Sequence, residues 1–169
     1  MTRKMIEIKL GNHIQTLKGY AFKSSWYVQN GYPIVKVSDF TENSIDTSNL
    51  NYISHSVADE YQKFSLKAGD TIIQTVGSWP SNPASVVGNV VKVPSTATGA
   101  LLNQNAVKII PDGQLNNQFV FWLLKSIYFK NFIINRAQGS ASQANITLED
   151  IREFSFVSPS LPTQQKIAS

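Results

Sequence analysis

The chain has 169 residues, with 15 Lys and Arg against 11 Asp and Glu, 42% hydrophobic residues and no Cys. A chain of this length buries roughly two thirds of the surface that its unfolded form exposes, so one domain is stable without disulfides or a structural metal. The absence of Cys excludes disulfide scaffolds, thiolate metal sites and Cys nucleophiles. No apolar run follows the basic residues at the start, and the apolar stretch 119–124 is far shorter than the ~20 residues of a membrane span. We therefore expect a soluble, cytoplasmic protein without a membrane segment.

The positive charge is concentrated in two segments. Residues 1–36 carry six basic residues and one acidic residue, and residues 86–148 carry five basic residues and one acidic residue. Between them, residues 37–70 carry two basic and six acidic residues, and residues 71–85 carry no charge. If the two basic segments meet in the fold, they form one positive face of the kind that contacts phosphates. The alternative is that each Lys is a solvated surface residue.

Uncharged polar residues outnumber the charged ones. The chain has 14 Asn, 11 Gln, 19 Ser and 10 Thr. Asn and Gln can bond two positions of adenine, and Ser and Thr can bond either kind of base edge, so these residue types are expected on a surface that reads DNA. The same residue types fill ordinary loops, and composition alone leaves both interpretations open.

The first two thirds of the chain favour short strands. Apolar and charged residues alternate over residues 6–10, which predicts a half-buried strand that ends at Gly11. Runs of β-branched residues bounded by Gly, Pro or Asp predict further strands at residues 32–37, 71–76, 86–93 and 106–110. Capping-box spacing from Ser56 to Asp59 predicts a short helix that continues to about residue 62.

From residue 115 the apolar period becomes helical. The spacing i, i+3, i+4, i+8 is made by Phe119, Trp122, Leu123 and Ile127. It predicts one long helical segment over 115–135 whose apolar stripe lies in the core. Residues 137–145 have no strong apolar residue and are predicted as an exposed loop. A second capping box at Thr147 predicts a helical turn, residues 154–157 a strand, and residues 161–169 the beginning of a helix with Pro near its first turn.

Sequence signatures of catalysis are absent. The chain has no Gly-x-Gly-x-x-Gly, no Gly-Lys-Ser/Thr phosphate loop and no Gly-x-Ser-x-Gly elbow. Its two His residues, His13 and His55, are 42 positions apart. Only His55 has a carboxylate, that of Asp59, at the i+4 spacing that would place two metal ligands on one helical turn. We therefore expect a binding domain without catalytic residues, metal or cofactor.

A series of short motifs covers nearly the whole chain. In order, they are Ile8-Lys9-Leu10-Gly11-Asn12, Lys18-Gly19-Tyr20-Ala21-Phe22, Gly31-Tyr32-Pro33-Ile34-Val35, Lys67-Ala68-Gly69-Asp70, Leu101-Leu102-Asn103-Gln104-Asn105, the glycine-containing segment 139–145, and Pro159-Ser160-Leu161-Pro162-Thr163-Gln164-Gln165-Lys166-Ile167. In this order and at these spacings, they resemble the target-recognition domain of the specificity subunit of Type I restriction-modification enzymes.

The pattern and the resemblance together predict an α+β fold. We expect a β-rich single domain with short strands, one long helical segment in the C-terminal third and the start of a spacer helix at the end. The resemblance implies that residues 1–160 form a DNA target-recognition domain and that residues 161–169 are the truncated start of the conserved spacer helix.

The resemblance also implies a non-catalytic role within a larger complex. A full specificity subunit carries two such domains, and each reads one half of a bipartite site in double-stranded DNA. Methyltransferase (modification) subunits dock on the spacer helices, and a motor-nuclease (restriction) subunit joins for cleavage. The methyl donor, ATP and magnesium then belong to these partners, and no cofactor is expected on this chain.

The DNA contacts are expected on loops above a fixed scaffold. The residues expected at phosphates are Lys18, Lys23, Lys36 and Arg136. The residues expected at bases are Gln74, Ser78, Trp79, Gln138, Ser140, Ser142 and Gln143. Asn103 and Gln104 lie at the entry of a strand and are interpreted as satisfying local backbone groups.

Alternatives of two kinds stay open. The same recognition domain would also suit a fused restriction-methyltransferase, or a single-domain subunit that pairs with a copy of itself. In other classes, the chain is a protein-binding module, or a small hydrolase that uses His13 or His55. A steep salt dependence of DNA binding separates recognition from protein binding, and substitution of both His residues separates it from hydrolysis.

Overall fold

Four small β-sheets organise residues 6–169, the part of the chain that this computed structural model describes. The strands are β1 (Ile6–Lys9), β2 (Ile14–Lys18), β3 (Tyr27–Val28), β4 (Tyr32–Val35), β5 (Asn51–Ile53), β6 (Thr71–Gln74), β7 (Val76–Gly77), β8 (Val90–Lys92), β9 (Leu101–Leu102), β10 (Ala106–Pro111), β11 (Gln138–Gly139), β12 (Ala144–Asn145) and β13 (Ser155–Ser158). The α-helices are α1 (His55–Ala58), α2 (Asn117–Lys125), α3 (Ile127–Arg136), α4 (Leu148–Arg152) and α5 (Leu161–Ala168). Arg3 and Lys4, which belong to the basic N-terminal segment, lie outside the described residues.

The central sheet has the strand order β2-β10-β6-β8, and all its neighbouring strands are antiparallel. Val107 of β10 lies opposite Lys18 on one side and opposite Ile73 on the other. The carboxyl ends of β2 and β6 therefore share one edge of this sheet. The run Thr71–Gln74, predicted as a strand, is buried along its whole length, as expected of a central strand with core on both faces.

Each face of the central sheet covers a separate part of the core. On one face, Ile73 and Val107 pack with residues of α2 and α3, including Phe119 and Phe129. On the other face, Ile72 belongs to a second cluster beneath the small sheet β3-β5-β4-β9. The β-rich α+β fold expected from the sequence is confirmed.

The helical segment of the C-terminal third is confirmed, but it is broken at Ser126. This residue has an extended ψ of 152°, ends α2 and is the N-cap of α3. Its hydroxyl accepts the backbone N–H of Phe129 at 3.3 Å, the bond that makes Ser a preferred N-cap. Two residues of the predicted apolar stripe, one on each side of this break, lie outside the core. Ile127, predicted in the core, is 59% exposed, and Trp122 is 47% exposed.

The structure also moves several predicted boundaries. The strand predicted at 86–93 is reduced to β8, and α1 begins at His55 with Ser54 as its N-cap rather than at Ser56. The predicted loop 137–145 contains the hairpin β11–β12. The capping box between Thr147 and Asp150 is present as predicted.

The two ends of the described chain are tied to the domain and to each other. β1 pairs with β13 in antiparallel register, with Ile6 opposite Ser158. Helix α5 then follows, and its buried Gln164 accepts the backbone N–H of Asn116 at 2.8 Å and donates to the carbonyl of Gln114 at 3.2 Å. This side chain fixes the first turns of α5 to the segment that precedes α2.

Candidate nucleic-acid interface

Several loops meet at the edge of the central sheet where β2 and β6 end. The N–H of Gly19 donates to the Ala106 carbonyl at 3.0 Å, and the N–H of Thr75 donates to the Asn105 carbonyl at 2.7 Å. The N–H of Ile146 in turn donates to the Thr75 carbonyl at 2.9 Å. These backbone bonds place the end of β2, the turn before β10, the segment after β6 and the end of the β11–β12 hairpin side by side.

The hairpin is the outer part of a three-stranded sheet with the order β11-β12-β7. Ala144 in its second strand is fully buried, whereas the tip at residues 140–143 is exposed. Gly139 has φ of +151°, and a Cβ there would lie 2.0 Å from the Gln143 carbonyl oxygen. Only glycine fits this close approach, which explains the residue that the sequence placed in a loop.

Gln74 braces the turn after β6 from inside the domain. Its side chain is 1% exposed, and its amide nitrogen donates to the Val76 carbonyl at 2.9 Å and to the Ser85 hydroxyl at 2.8 Å. The same turn packs closely, since a Cβ on Gly77 would lie 2.4 Å from the Ser85 carbonyl oxygen. The sequence suggested Gln74 for a base contact, but the structure commits its amide nitrogen to the shape of the turn.

The loop 78–85 is joined to the hairpin tip by an indole. The Nε1–H of Trp79 donates to the Ser140 carbonyl at 2.7 Å. Within the loop, the Ser78 hydroxyl donates to the Asn82 carbonyl, and at the tip the hydroxyls of Ser140 and Ser142 lie 3.4 Å apart. Two segments that are 61 positions apart in the chain therefore form one surface of hydroxyl and amide groups.

Two of the predicted phosphate contacts lie close to this edge of the central sheet. Lys18 is exposed at the end of β2. Lys36 directly follows β4, and the carbonyl of the preceding residue, Val35, accepts the N–H of Asn103 at 2.9 Å. Asn103 also forms a β-bridge with Tyr20, which lies two residues after Lys18. Asn103 therefore links the segments that carry Lys18 and Lys36.

The other two predicted phosphate contacts have intramolecular partners. The ammonium of Lys23 lies 5.5 Å from the ring of Trp26, in an aromatic cluster outside the hairpin surface. The guanidinium of Arg136 lies 4.6 Å from the Phe132 ring and 3.8 Å from an Asp150 carboxylate oxygen, and its side chain stays 42% exposed. Arg136 ends α3 and immediately precedes the hairpin, so it borders that surface.

The structure thus brings together most of the residues predicted for DNA contact. The residues on or bordering the hairpin surface are Ser78, Trp79, Arg136, Gln138, Ser140, Ser142 and Gln143. Sequence reasoning did not single out Asn145 or Val76, which lie in the same three-stranded sheet. The sequence signal that could have revealed a strand there is the alternation of apolar Ala144, polar Asn145 and apolar Ile146, which the structure shows as buried, exposed and buried.

The two His residues take part in separate local contacts. The Nδ1 atom of His13 lies 3.0 Å from an Asp112 carboxylate oxygen, and the ring of His55 packs edge-on against Tyr32 at 5.5 Å. Among residues 6–169, no group of three His, Asp or Glu side chains is arranged to hold a metal ion.

In the same range, no helix has the length and apolar character needed to cross a bilayer.

The same fold occurs in solved specificity subunits. The chain also superposes on a chain from a structural study of the complex assembly and conformational transition of the type I R-M system, with a TM-score of 0.70, at 16% identity, covering 99% of this chain and 37% of the other. For the HsdS subunit from Thermoanaerobacter tengcongensis the TM-score is 0.66, at 17% identity and with 99% and 36% coverage. The type IIG restriction endonuclease BpuSI gives 0.60 at 9% identity, over 96% of this chain and 26% of that enzyme.

Sequence comparison assigns the family. The chain belongs to the type I restriction modification DNA specificity domain family, whose model matches residues 4–169. A putative type I restriction enzyme MjaX specificity subunit from Methanocaldococcus jannaschii is 22% identical over 139 residues, which are 82% of this chain and 32% of that protein. The chain therefore spans about a third of the length of these relatives. The family match confirms the resemblance found in the sequence.

Proposed function

We propose that this chain binds double-stranded DNA in a sequence-specific manner and reads one half of a bipartite site for a type I restriction-modification complex. The observation that carries this proposal is the hairpin β11–β12 pinned to the loop 78–85 by Trp79. A two-stranded β-ribbon fits the major groove of B-DNA, which is about 12 Å wide. The tip of this hairpin is exposed and uncharged, as expected of groups that bond to base edges.

The basic residues next to this surface are suited to position it on the backbone. Lys18 ends β2 of the central sheet, Lys36 follows β4 of the adjacent sheet, and Arg136 borders the hairpin. Phosphate contacts by Lys and Arg give affinity and register without sequence information. Lys23, which lies over Trp26, is assigned to the rim of the contact.

The same proposal covers the assembly. Residues 1–160 act as the target-recognition domain, and residues 161–169, which contain α5, begin the spacer helix on which methyltransferase subunits dock. A second recognition domain reads the other half of the site, and the motor-nuclease subunit joins for cleavage. The complex acts in the cytoplasm, and the methyl donor, ATP and magnesium are bound by its other subunits.

Binding of the 169-residue chain to random DNA duplexes tests the proposal. We expect enrichment of a short motif, and an affinity whose logarithm falls with log[salt] by about 0.9 per phosphate contact. The double variant K18A/K36A should bind all sequences more weakly, reduce the salt slope by about 2 and keep the motif. K166A, on α5, is the matched control and should leave the slope unchanged. No detectable DNA binding, with protein complexes that form whether or not double-stranded DNA is present and at any salt concentration, would instead support a protein-binding module.

A second candidate is a specificity domain of a fused restriction-methyltransferase, which the fold shared with the type IIG enzyme supports. Domain exchange separates the two. Residues 1–169 are placed in the specificity subunit of an active type I complex, and methylated adenines are mapped in the host genome. A change in one half of the bipartite motif, with the other half and the spacing unchanged, is expected for a type I domain. Failure of the chimaera to assemble, with DNA binding by the chain intact, would favour the fused enzyme.

A further inference from the structure

Three side chains from three strands form a row on the outer face of the β11-β12-β7 sheet. Asn145 lies directly opposite Gln138 on one side and directly opposite Val76 on the other. Directly opposite residues of antiparallel strands point to the same face, with Cβ atoms about 5 Å apart. The row Gln138–Asn145–Val76 therefore spans about 10 Å across the sheet, which is within the ~12 Å width of the major groove.

The inner face of this sheet is closed by the domain. It carries Ala144, which is fully buried, between Gly77 and Gly139 in the same register. The next residue after β12, Ile146, is buried and bonded through its N–H to the Thr75 carbonyl. The hairpin therefore has one orientation on the domain, and the outer row is held on a fixed backbone, as precise recognition requires.

The two amides of the row are free to bond a ligand. The side chains of Gln138 and Asn145 are exposed, and within residues 6–169 neither makes a hydrogen bond to another protein group. They differ in this from Gln74, whose amide nitrogen is used inside the domain. Val76 is half-buried at the end of the row and presents methyl groups.

We infer that this row reads A·T base pairs in the major groove, with Asn145 and Gln138 bonded to adenine and Val76 against the methyl group of thymine. An amide side chain can accept from N6 and donate to N7 of adenine, and apolar side chains contact the C5-methyl group of thymine. The inference rests on the proposed DNA-binding function and deepens it, because it names the bases and the residues that select them.

Changes in the DNA test this inference without altering the protein. The wild-type chain first selects its motif from random duplexes. Adenines of the motif are then replaced by 7-deazaadenine, which lacks the N7 acceptor, and thymines by uracil, which lacks the methyl group. We expect weaker binding in both cases. At the adenine that Asn145 contacts, the 7-deazaadenine loss should vanish in N145A, because the two changes remove the same hydrogen bond, whereas the loss at the adenine that Gln138 contacts should persist.

Changes in the protein give the reciprocal test. N145A should lose about 5- to 150-fold in discrimination at one position of the motif. N145D should shift the preference at that position from adenine to cytosine, whose N4 amino group donates to a carboxylate. N30A is the matched control, because Asn30 is an exposed amide before the start of β4, at the opposite end of that strand from Lys36. Circular dichroism and thermal unfolding verify that each variant folds.

The outcomes separate the inference from the function on which it rests. A motif that is unchanged in N145A, N145D and Q138A, or a motif without A·T pairs, overturns the inference and leaves DNA recognition intact. A wild-type chain that selects no motif and binds DNA without salt dependence refutes the proposed function itself.

Discussion

The Gln74 side chain shows how one buried amide can shape a surface that it does not reach. Its nitrogen donates to the Val76 carbonyl in the turn after β6 and to the hydroxyl and carbonyl of Ser85 at the end of the loop 78–85. Gln74→Met keeps the volume but leaves these acceptors without their donor. We expect it to lower the free energy of unfolding by about 1–3 kcal/mol in a urea titration.

An exposed amide at the same sheet edge provides the control for this prediction. Gln104 follows the buried Asn103, and its side chain is solvent-exposed. Gln104→Met should change the unfolding free energy by less than about 0.5 kcal/mol. If the two variants lose the same stability, the hydrogen bonds of the Gln74 side chain do not stabilise the turn. Sequence alone could not assign burial to one and exposure to the other, because Gln74 ends a strand, Gln104 lies just before one, and tertiary packing decides which of them is buried.

At the scale of elements, the β11–β12 hairpin depends on the loop that it touches. Each of its strands has two residues, too few to be stable alone, and the Trp79 indole supplies a bond to its tip. Trp79→Phe keeps an aromatic ring but removes the donor. We expect faster hydrogen exchange at residues 138–145, weaker DNA selectivity, and a loss of about 0.5–1.5 kcal/mol in unfolding free energy.

Trp122 allows a matched comparison, since it lies half-exposed on α2. Trp122→Phe should leave hydrogen exchange in the hairpin and the selected motif unchanged. Equal exchange rates in wild type and Trp79→Phe would show that β12, through its pairing with β7, holds the hairpin without the indole.

For the molecule as a whole, one ion pair ties β1 to the end of α4. The Lys9 ammonium lies 3.0 Å from the Glu153 carboxylate, and its hydrogen bonds are the main reason that the pKa of Glu153 is below its ordinary value. A carboxyl group whose pKa is lower in the folded state than in the unfolded state stabilises the fold at pH values above its ordinary pKa. This stability is lost as the pH falls through the lowered pKa. We therefore expect Glu153→Gln to lose less stability than wild type between pH 7 and pH 3, measured by urea unfolding.

The exposed Glu7 on the same strand is the control for this pH dependence. Glu7→Gln should retain the wild-type difference between pH 7 and pH 3. An identical pH dependence in wild type and Glu153→Gln would show that solvent screening removes the effect of the pair.

Much of this architecture could be predicted from local pattern, and the remainder depends on distant partners. The β-branched runs at β6 and β10 and the Thr147 cap carry their own signals, and each is present in the structure. The break at Ser126 was missed because the apolar spacing continues across it from Phe119 to Ile127, and because Ser occurs both inside helices and at their caps. The row of Asn145 depends on register across three strands, which no local pattern records.

The pairing of β1 with β13 has a consequence for inheritance. Because these strands are neighbours about 5 Å apart, the segments that enter and leave the domain run side by side. A gene rearrangement with one breakpoint near each strand would therefore transfer the proposed DNA-contact surface, which lies between β1 and β13 in the sequence, as one unit. Under the proposed function, one such exchange would replace the sequence preference of the host protein in a single step.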